Sequence, residues 1–264
     1  MGRGNLFWGV ILILGGSLLL LDNLGLLNVN VWSLIWPLFL IGLGVRALWG
    51  AVAARRSSED EQAAIPLDAA TSARVRVHHG AGRLDIHSGA GPDELAAGTF
   101  GGGLDHSARR AGEVLEVDMR VRESFTFPWM WGPGRSLDWS FGLTGDIPLS
   151  LELKTGASES RLDLADLRVT DLRLETGASA TRITLPANAG RTRAEIRAGA
   201  ASVELQVPPG VAARIRIRGG LSSTNVDTGR FPRSGDGYQS EDYDTAANTV
   251  DLDIETGVGS VRIY

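Results

Sequence analysis

Hydrophobic and polar positions divide this chain into two unlike parts. Leu6 to Leu21 is a run of sixteen uncharged, mostly apolar residues, and Val31 to Val45 is a second uncharged run. Between them lies a short polar-edged stretch, Asp22 to Asn30. A bilayer-spanning helix needs about 20 apolar residues at ~1.5 Å each. The first run reaches that length by borrowing its neighbours, and the second does so if Arg46 snorkels to the headgroups. Trp8, Trp32, Trp36 and Trp49 lie near the run ends, where amphipathic rings prefer the interface. No small-residue cleavage site follows the first run, and a second run begins within ten residues, which disfavours a secretory signal. The pattern predicts a two-helix transmembrane module over 1–56. Arg3, Arg46, Arg55 and Arg56 lie at its outer ends, while its connection carries Asp22 and no base. The positive-inside rule therefore places both termini in the cytoplasm.

Residues 57–66 are acidic and polar and read as a linker. From 67 to 264 the chain repeats. Align it on Gly80, Gly156, Gly177, Gly199, Gly220 and Gly257. Five residues earlier stand Val75, Leu151, Leu172, Ala194, Ile215 and Leu252; three earlier, Val77, Leu153, Leu174, Ile196, Ile217 and Ile254. One later stand Ala81, Ala157, Ala178, Ala200, Leu221 and Val258; six later, Ile86, Leu162, Ile183, Leu205, Val226 and Ile263. All are apolar, and the residues between are mostly charged or polar. Period-two alternation predicts a strand with one buried face. The glycine predicts a turn or bulge that a Cβ would obstruct, followed by a second alternating strand. The 21–22-residue period of the middle copies fits one coil of a β-solenoid whose units bury their faces by stacking.

The outward charges support stacking. Four residues before the glycine, the middle copies carry Glu152, Arg173, Glu195 and Arg216; two before, Lys154, Glu175, Arg197 and Arg218. Sign alternates from copy to copy, apart from the pair Arg197 and Arg218. In-register coils ~4.8 Å apart place opposite charges one above another, giving a solvated ladder. The period fails between Gly80 and Gly156. There, residues 96–121 look like imperfect strands, and an insert over 122–142 holds Phe125, Phe127, Trp129, Trp131, Trp139 and Phe141. That insert reads as a hairpin packed on one edge or end of the solenoid, or as a patch for the membrane interface or a partner. Residues 230–247 read as a polar, mobile loop.

Composition narrows the function. The absence of cysteine removes disulfide scaffolds, thiol catalysis and zinc fingers. A net charge of −5 argues against nucleic acid as a partner. The 34 glycines lack the three-residue period of collagen. His78, His79, His87 and His106 have no metal-ligand spacing, and no phosphate-binding glycine loop or nucleophile elbow is present. Asp163, Asp227, Asp251 and Asp253 are the carboxylates that could pair on a solenoid face, although strand carboxylates are more often simply solvated. No catalytic, cofactor or metal residue is expected, and the chain reads as a non-enzyme.

Gly9 to Gly16, Leu21-Asp22-Asn23, Trp36-Pro37-Leu38 and Gly42 resemble the two-helix region of LiaI/LiaF-type bacterial membrane proteins. The Thr-Gly-Ala-Ser and Gly-Val-Gly-Ser repeats resemble the toastrack β-domain of LiaF-like and adhesin-type proteins. The resemblance implies a multi-pass cell-membrane protein in contact with the lipid bilayer. It also implies restraint of a membrane histidine kinase that answers envelope stress, and transfers no catalytic residue. A surface-exposed adhesin-like or scaffold β-helix on a membrane anchor is the alternative.

Overall fold

The computed structural model describes residues 60–122 and 137–264. The two-helix module expected over 1–56, and Phe125, Phe127, Trp129 and Trp131 of the insert, lie outside them. The described residues are all β. In chain order the strands are β1 (Asp60–Pro66), β2 (Ser72–Ser88), β3 (Glu94–Gly101), β4 (Leu104–Ala111), β5 (Val114–Val121), β6 (Trp139–Leu143), β7 (Leu149–Asp163), β8 (Val169–Thr184), β9 (Arg191–Gln206), β10 (Val211–Val226), β11 (Arg233–Ser234), β12 (Gly237–Gln239) and β13 (Asn248–Ile263).

Six long strands stack in parallel in the order β2-β7-β8-β9-β13-β10. Each contains one of the six aligned glycines. The repeat is therefore one strand bent at its glycine, not two strands joined by a turn. In β8, Leu172, Leu174 and Thr176 point inward before the glycine, and Thr181 and Ile183 after it. The inward parity flips across Gly177, and the ladder skips it: Thr155 pairs with Thr176, then Ala157 with Ala178. This is the behaviour of a bulge. The core lies between the first arms and the second arms, closed by Leu164, Leu167, Leu185 and Val207 of the connections. Each buried Leu or Ile contributes about 1.5–3 kcal/mol of transfer free energy.

The glycines are required by the stack. A Cβ on Gly177 or Gly199 would stand 3.0 Å from the carbonyl oxygen of the preceding rung's glycine, and one on Gly257 would stand 2.7 Å from that of Gly199. On Gly156 it would overlap the Gly80 carbonyl outright.

The structure corrects several expectations. The chain-order stack is broken, because β13 inserts between β9 and β10. The residues directly after the glycines are apolar but outside: Ala81, Ala157, Ala178 and Ala200 are exposed, Val258 is 55% exposed and Leu221 81%. The parity flip puts them on the outer side of the bend. Residues 60–66, expected within a linker, form β1, which pairs with β3 and buries Ile65. The polar loop 230–247 contains the β11–β12 hairpin and buries Phe231 and Tyr243.

The irregular region caps one end. β5 continues the first arm of β2 in parallel and β4 pairs with β5; β6 continues the second arm, followed by β3 and β1. At the other end β12 pairs with β10 only at Arg214 and Ile215.

Candidate functional site

The outer face of the first arms carries the expected charge ladder. Arg76 reaches Glu152 at 3.7 Å, Lys154 reaches Glu175 at 3.6 Å, and Arg173 reaches Glu195 at 3.8 Å. Arg197 stands 3.8 Å from both Glu175 and Glu255. Glu255 of the inserted β13 thus separates Arg197 from Arg218. These side chains are substantially solvated, so each pair is worth a few tenths of a kcal/mol. They form a rigid, patterned surface rather than a reactive one.

Where the strands bend, a shallow channel of about 860 Å³ crosses the rungs. Gly156, Gly177, Gly199 and Gly257 line its floor, with Lys154 and Arg197 along it. Of its carboxylates, Glu175 is paired with both bases and Glu255 with Arg197. Beside it runs the exposed apolar row from Ala81 to Leu221. Glycine keeps this floor free of side chains, so a partner's backbone can approach closely.

A second hollow, about 550 Å³, opens on the first arms of β9, β13 and β10. Arg191, Arg193, Arg214 and Arg216 line it together with Asp251 and Asp253. Asp251 is the hub. It accepts 2.6 Å from the Tyr243 hydroxyl and 2.7 Å from Arg191 Nη2, and Arg214 stacks over the Tyr243 ring at 4.1 Å. Burial pushes the Asp251 carboxyl up, but the bonds from Tyr243 and Arg191 outweigh it and hold the group below its ordinary value. Tyr243 moves the opposite way, raised by burial and by its bond to Asp251. Asp253 is held by Arg218 at 2.7 Å. Asp251 and Asp253 are thus neutralised by arginines; Asp163 ends β7 and Asp227 follows β10, both exposed. The four candidate carboxylates do not form a catalytic pair. Among the described residues no group of three or more His and acidic side chains is placed to hold a metal.

Two residues of the aromatic insert fall within the described chain, and both are core rather than patch. Trp139 and Phe141 are 1% and 0% exposed. Trp139 packs edge-on against Phe100 at 5.1 Å and donates from Nε1 to the Gly101 carbonyl at 3.1 Å. Their strand β6 pairs with the second arm of β2 and extends the buried row of Leu84 and Ile86. Beside them lies a group the sequence reading passed over. His79 is 1% exposed and 5.4 Å from the Trp139 ring, and its Nε2–H donates to the Leu137 carbonyl at 2.7 Å. Its Nδ1 has no partner among the described residues. Desolvation holds it neutral, with its pKa below the ordinary histidine value. His79 occupies the slot before the glycine that Thr155 and Thr176 fill on the next rungs, which was the available signal of an inward position. The Tyr243 hub was also unread; three aromatics, Phe231, Tyr238 and Tyr243, in a supposedly polar loop were its signal.

The family model described as the N-terminal domain of toast_rack, DUF2154, matches residues 54–206, more than half of the chain. The chain belongs to the toast-rack family. A second family model, the LiaI-LiaF-like transmembrane region, matches residues 6–48. The toast-rack domain is therefore joined to a membrane region, and the protein is a membrane protein. No curated protein matches the chain. Among solved structures, a putative cell adhesion protein from Clostridium sporogenes shares the fold. Its TM-score is 0.69 at 18% identity, covering 78% of this chain and 99% of that one. The toast-rack match begins at residue 54, in agreement with β1 as part of the domain.

Proposed function

We propose that this toast-rack protein is a non-enzymatic, membrane-anchored interaction protein that modulates a membrane sensor kinase in the cell-envelope stress response. Two helices anchor it, and both termini face the cytoplasm. The observation that carries this reading is the union, in one chain, of a LiaI-LiaF-like transmembrane region with a toast-rack domain. The geometry supports it through the bend. A side-chain-free glycine channel, an exposed apolar row and a paired charge ladder present a long, regular surface suited to docking a protein segment. A photo-crosslinking residue at Ala178, in cells challenged with a wall-active antibiotic, should capture a histidine kinase. Deletion of the chain should raise the basal output of that kinase's promoter. Capture of no kinase together with unchanged promoter output would sink the proposal.

The solved neighbour favours a second reading, in which the domain works outside the cell as an adhesin-like or scaffold module. Reporter fusions placed after Tyr264 separate the two. An enzyme reporter active only in the cytoplasm supports the regulator, and one active only outside supports the surface module.

A further inference from the structure

Among the described residues the stack of long strands has one open end. Every other end of the long strands is covered. β5 and β6 pair with the two arms of β2, and β12 covers the start of β10. Beyond Ile215, the far side of β10 pairs with no strand among the described residues. Soluble proteins normally blunt such an edge with lysine, proline or an inward charge. Residues 219–226, Gly-Gly-Leu-Ser-Ser-Thr-Asn-Val, contain none of these. A bare edge of this kind is a template for adding a strand.

Three observations say what is added. First, the outer row beside the glycines holds alanine on four rungs and then enlarges to Val258 and Leu221 on the last two, 55% and 81% exposed. The apolar surface grows toward the open end of the stack, on β13 and then on β10. Second, on inner rungs the inward slot four residues after the glycine is buried: Ser160, Thr181, Val203 and Val261. Its counterpart on β10, Thr224, is exposed, and no rung among the described residues lies over it. Third, the uncharged edge is flanked by Arg218, which also binds Asp253 at 2.7 Å, before it and by the exposed Asp227 after it. Two copies paired antiparallel bring Arg218 of each toward Asp227 of the other. A two-fold axis normal to the sheet keeps each residue on its own face, so it passes through a residue opposite itself. Centred on Ser223, it sets Ser223 against Ser223 and Leu221 against Asn225 of the second copy.

We propose that this protein self-associates as a two-fold dimer through antiparallel pairing of residues 221–226 of β10, making one sheet continuous across two copies. Such isologous closure satisfies both edges at once, and attachment to one membrane raises the local concentration of the partner.

The chain's lack of cysteine gives a clean test. Ser223→Cys and, as control, Ala180→Cys are made in the full chain reconstituted in phospholipid vesicles. Ala180 is the exposed residue at the same offset from the glycine on β8, which is paired on both sides. Facing β residues have Cβ atoms about 4.5–5.5 Å apart, close to disulfide range. Mild oxidation should convert Ser223→Cys to covalent dimer at least tenfold faster than Ala180→Cys. Adding Leu221→Lys, at a solvent-facing side chain that the fold does not need, should return the rate to the control's. Equal rates for the two cysteine variants, or a dimer rate untouched by Leu221→Lys, would overturn the proposal.

Discussion

The glycine ladder makes a prediction with its own internal control. Alanine at Gly156 would push its Cβ into the Gly80 carbonyl, and alanine at Gly257 would stand 2.7 Å from the Gly199 carbonyl. In both cases the obstacle is backbone held in a parallel ladder, Gly199 between β8 and β13 and Gly80 against β7 alone. It cannot swing away as a side chain would, so the rungs must part locally. Overpacking of this kind costs about 1–3 kcal/mol. For a domain of this size ~1 kcal/mol moves Tm by roughly 2–4 °C, so each variant should melt about 2–12 °C below the parent. Gly80 begins the ladder, and a Cβ there meets nothing within 4 Å. Gly80→Ala should be neutral or raise Tm by about 1–4 °C, because it removes freedom from the unfolded chain, worth about 0.4–1 kcal/mol. The assay is circular-dichroism melting of the full chain in detergent micelles. If Gly80→Ala loses as much as Gly156→Ala, or if Gly156→Ala and Gly257→Ala melt with the parent, the close carbonyl approach is not why these glycines are there.

Trp139→Ala, which empties the capped end beside Phe100 and His79, should cost about 3–5 kcal/mol and shift the urea midpoint accordingly. Glu175→Ala, exposed on the ladder, should change stability by no more than about 1 kcal/mol, an effect that shrinks further in high salt. His79 is held below the ordinary histidine pKa of 6.5, so the unfolded chain binds its proton first. Its contribution is complete above about pH 6.5 and is lost as pH falls through the folded value; His79→Gln should flatten the urea midpoint across that window. Asp251 is also depressed, and its share is present above its unfolded value of 3.8 and lost as pH falls below it; Asp251→Asn should remove that acid limb.

Legibility in the sequence followed the range of the interactions. The bent rung could be read because it is local: Leu172, Leu174, Gly177 and Ile183 announce alternation, a break and alternation again within a dozen residues. The outward Ala178 could not be told from core by type alone. Alanine is apolar, and only the parity flip, a backbone event, turns it to solvent. The sequence left Trp139 open between a packed edge and an exposed patch for a related reason. Its partners Phe100 and His79 lie far back in the chain, and no local pattern records that contact. The linker reading of 60–66 failed similarly, since Ile65 is a single buried residue in a polar stretch and its partner strand begins at Glu94.

The insertion of β13 shows how charge selects an order that the core leaves open. Ala194, Leu252 and Ile215 occupy the same inward row on β9, β13 and β10, and an apolar row is indifferent to which rung comes next. The outer rows are not. If β10 lay directly on β9, Arg214 would stand against Arg193 and Arg218 against Arg197. With β13 between them, Asp251 separates the first pair and Glu255 the second. The exchange is not free, because Asp253 then lies beside Glu195, where chain order would have supplied Arg216. That contact is relieved from both sides: Arg197 binds Glu195 at 2.6 Å and Arg218 binds Asp253 at 2.7 Å. Two unrelieved like-charge contacts are thus traded for one relieved contact, at about 0.2–1 kcal/mol apiece. The gain is small beside the energy of the core, but it falls where the core expresses no preference. The same arrangement leaves β10 outermost, with its uncharged second arm as the end of the stack.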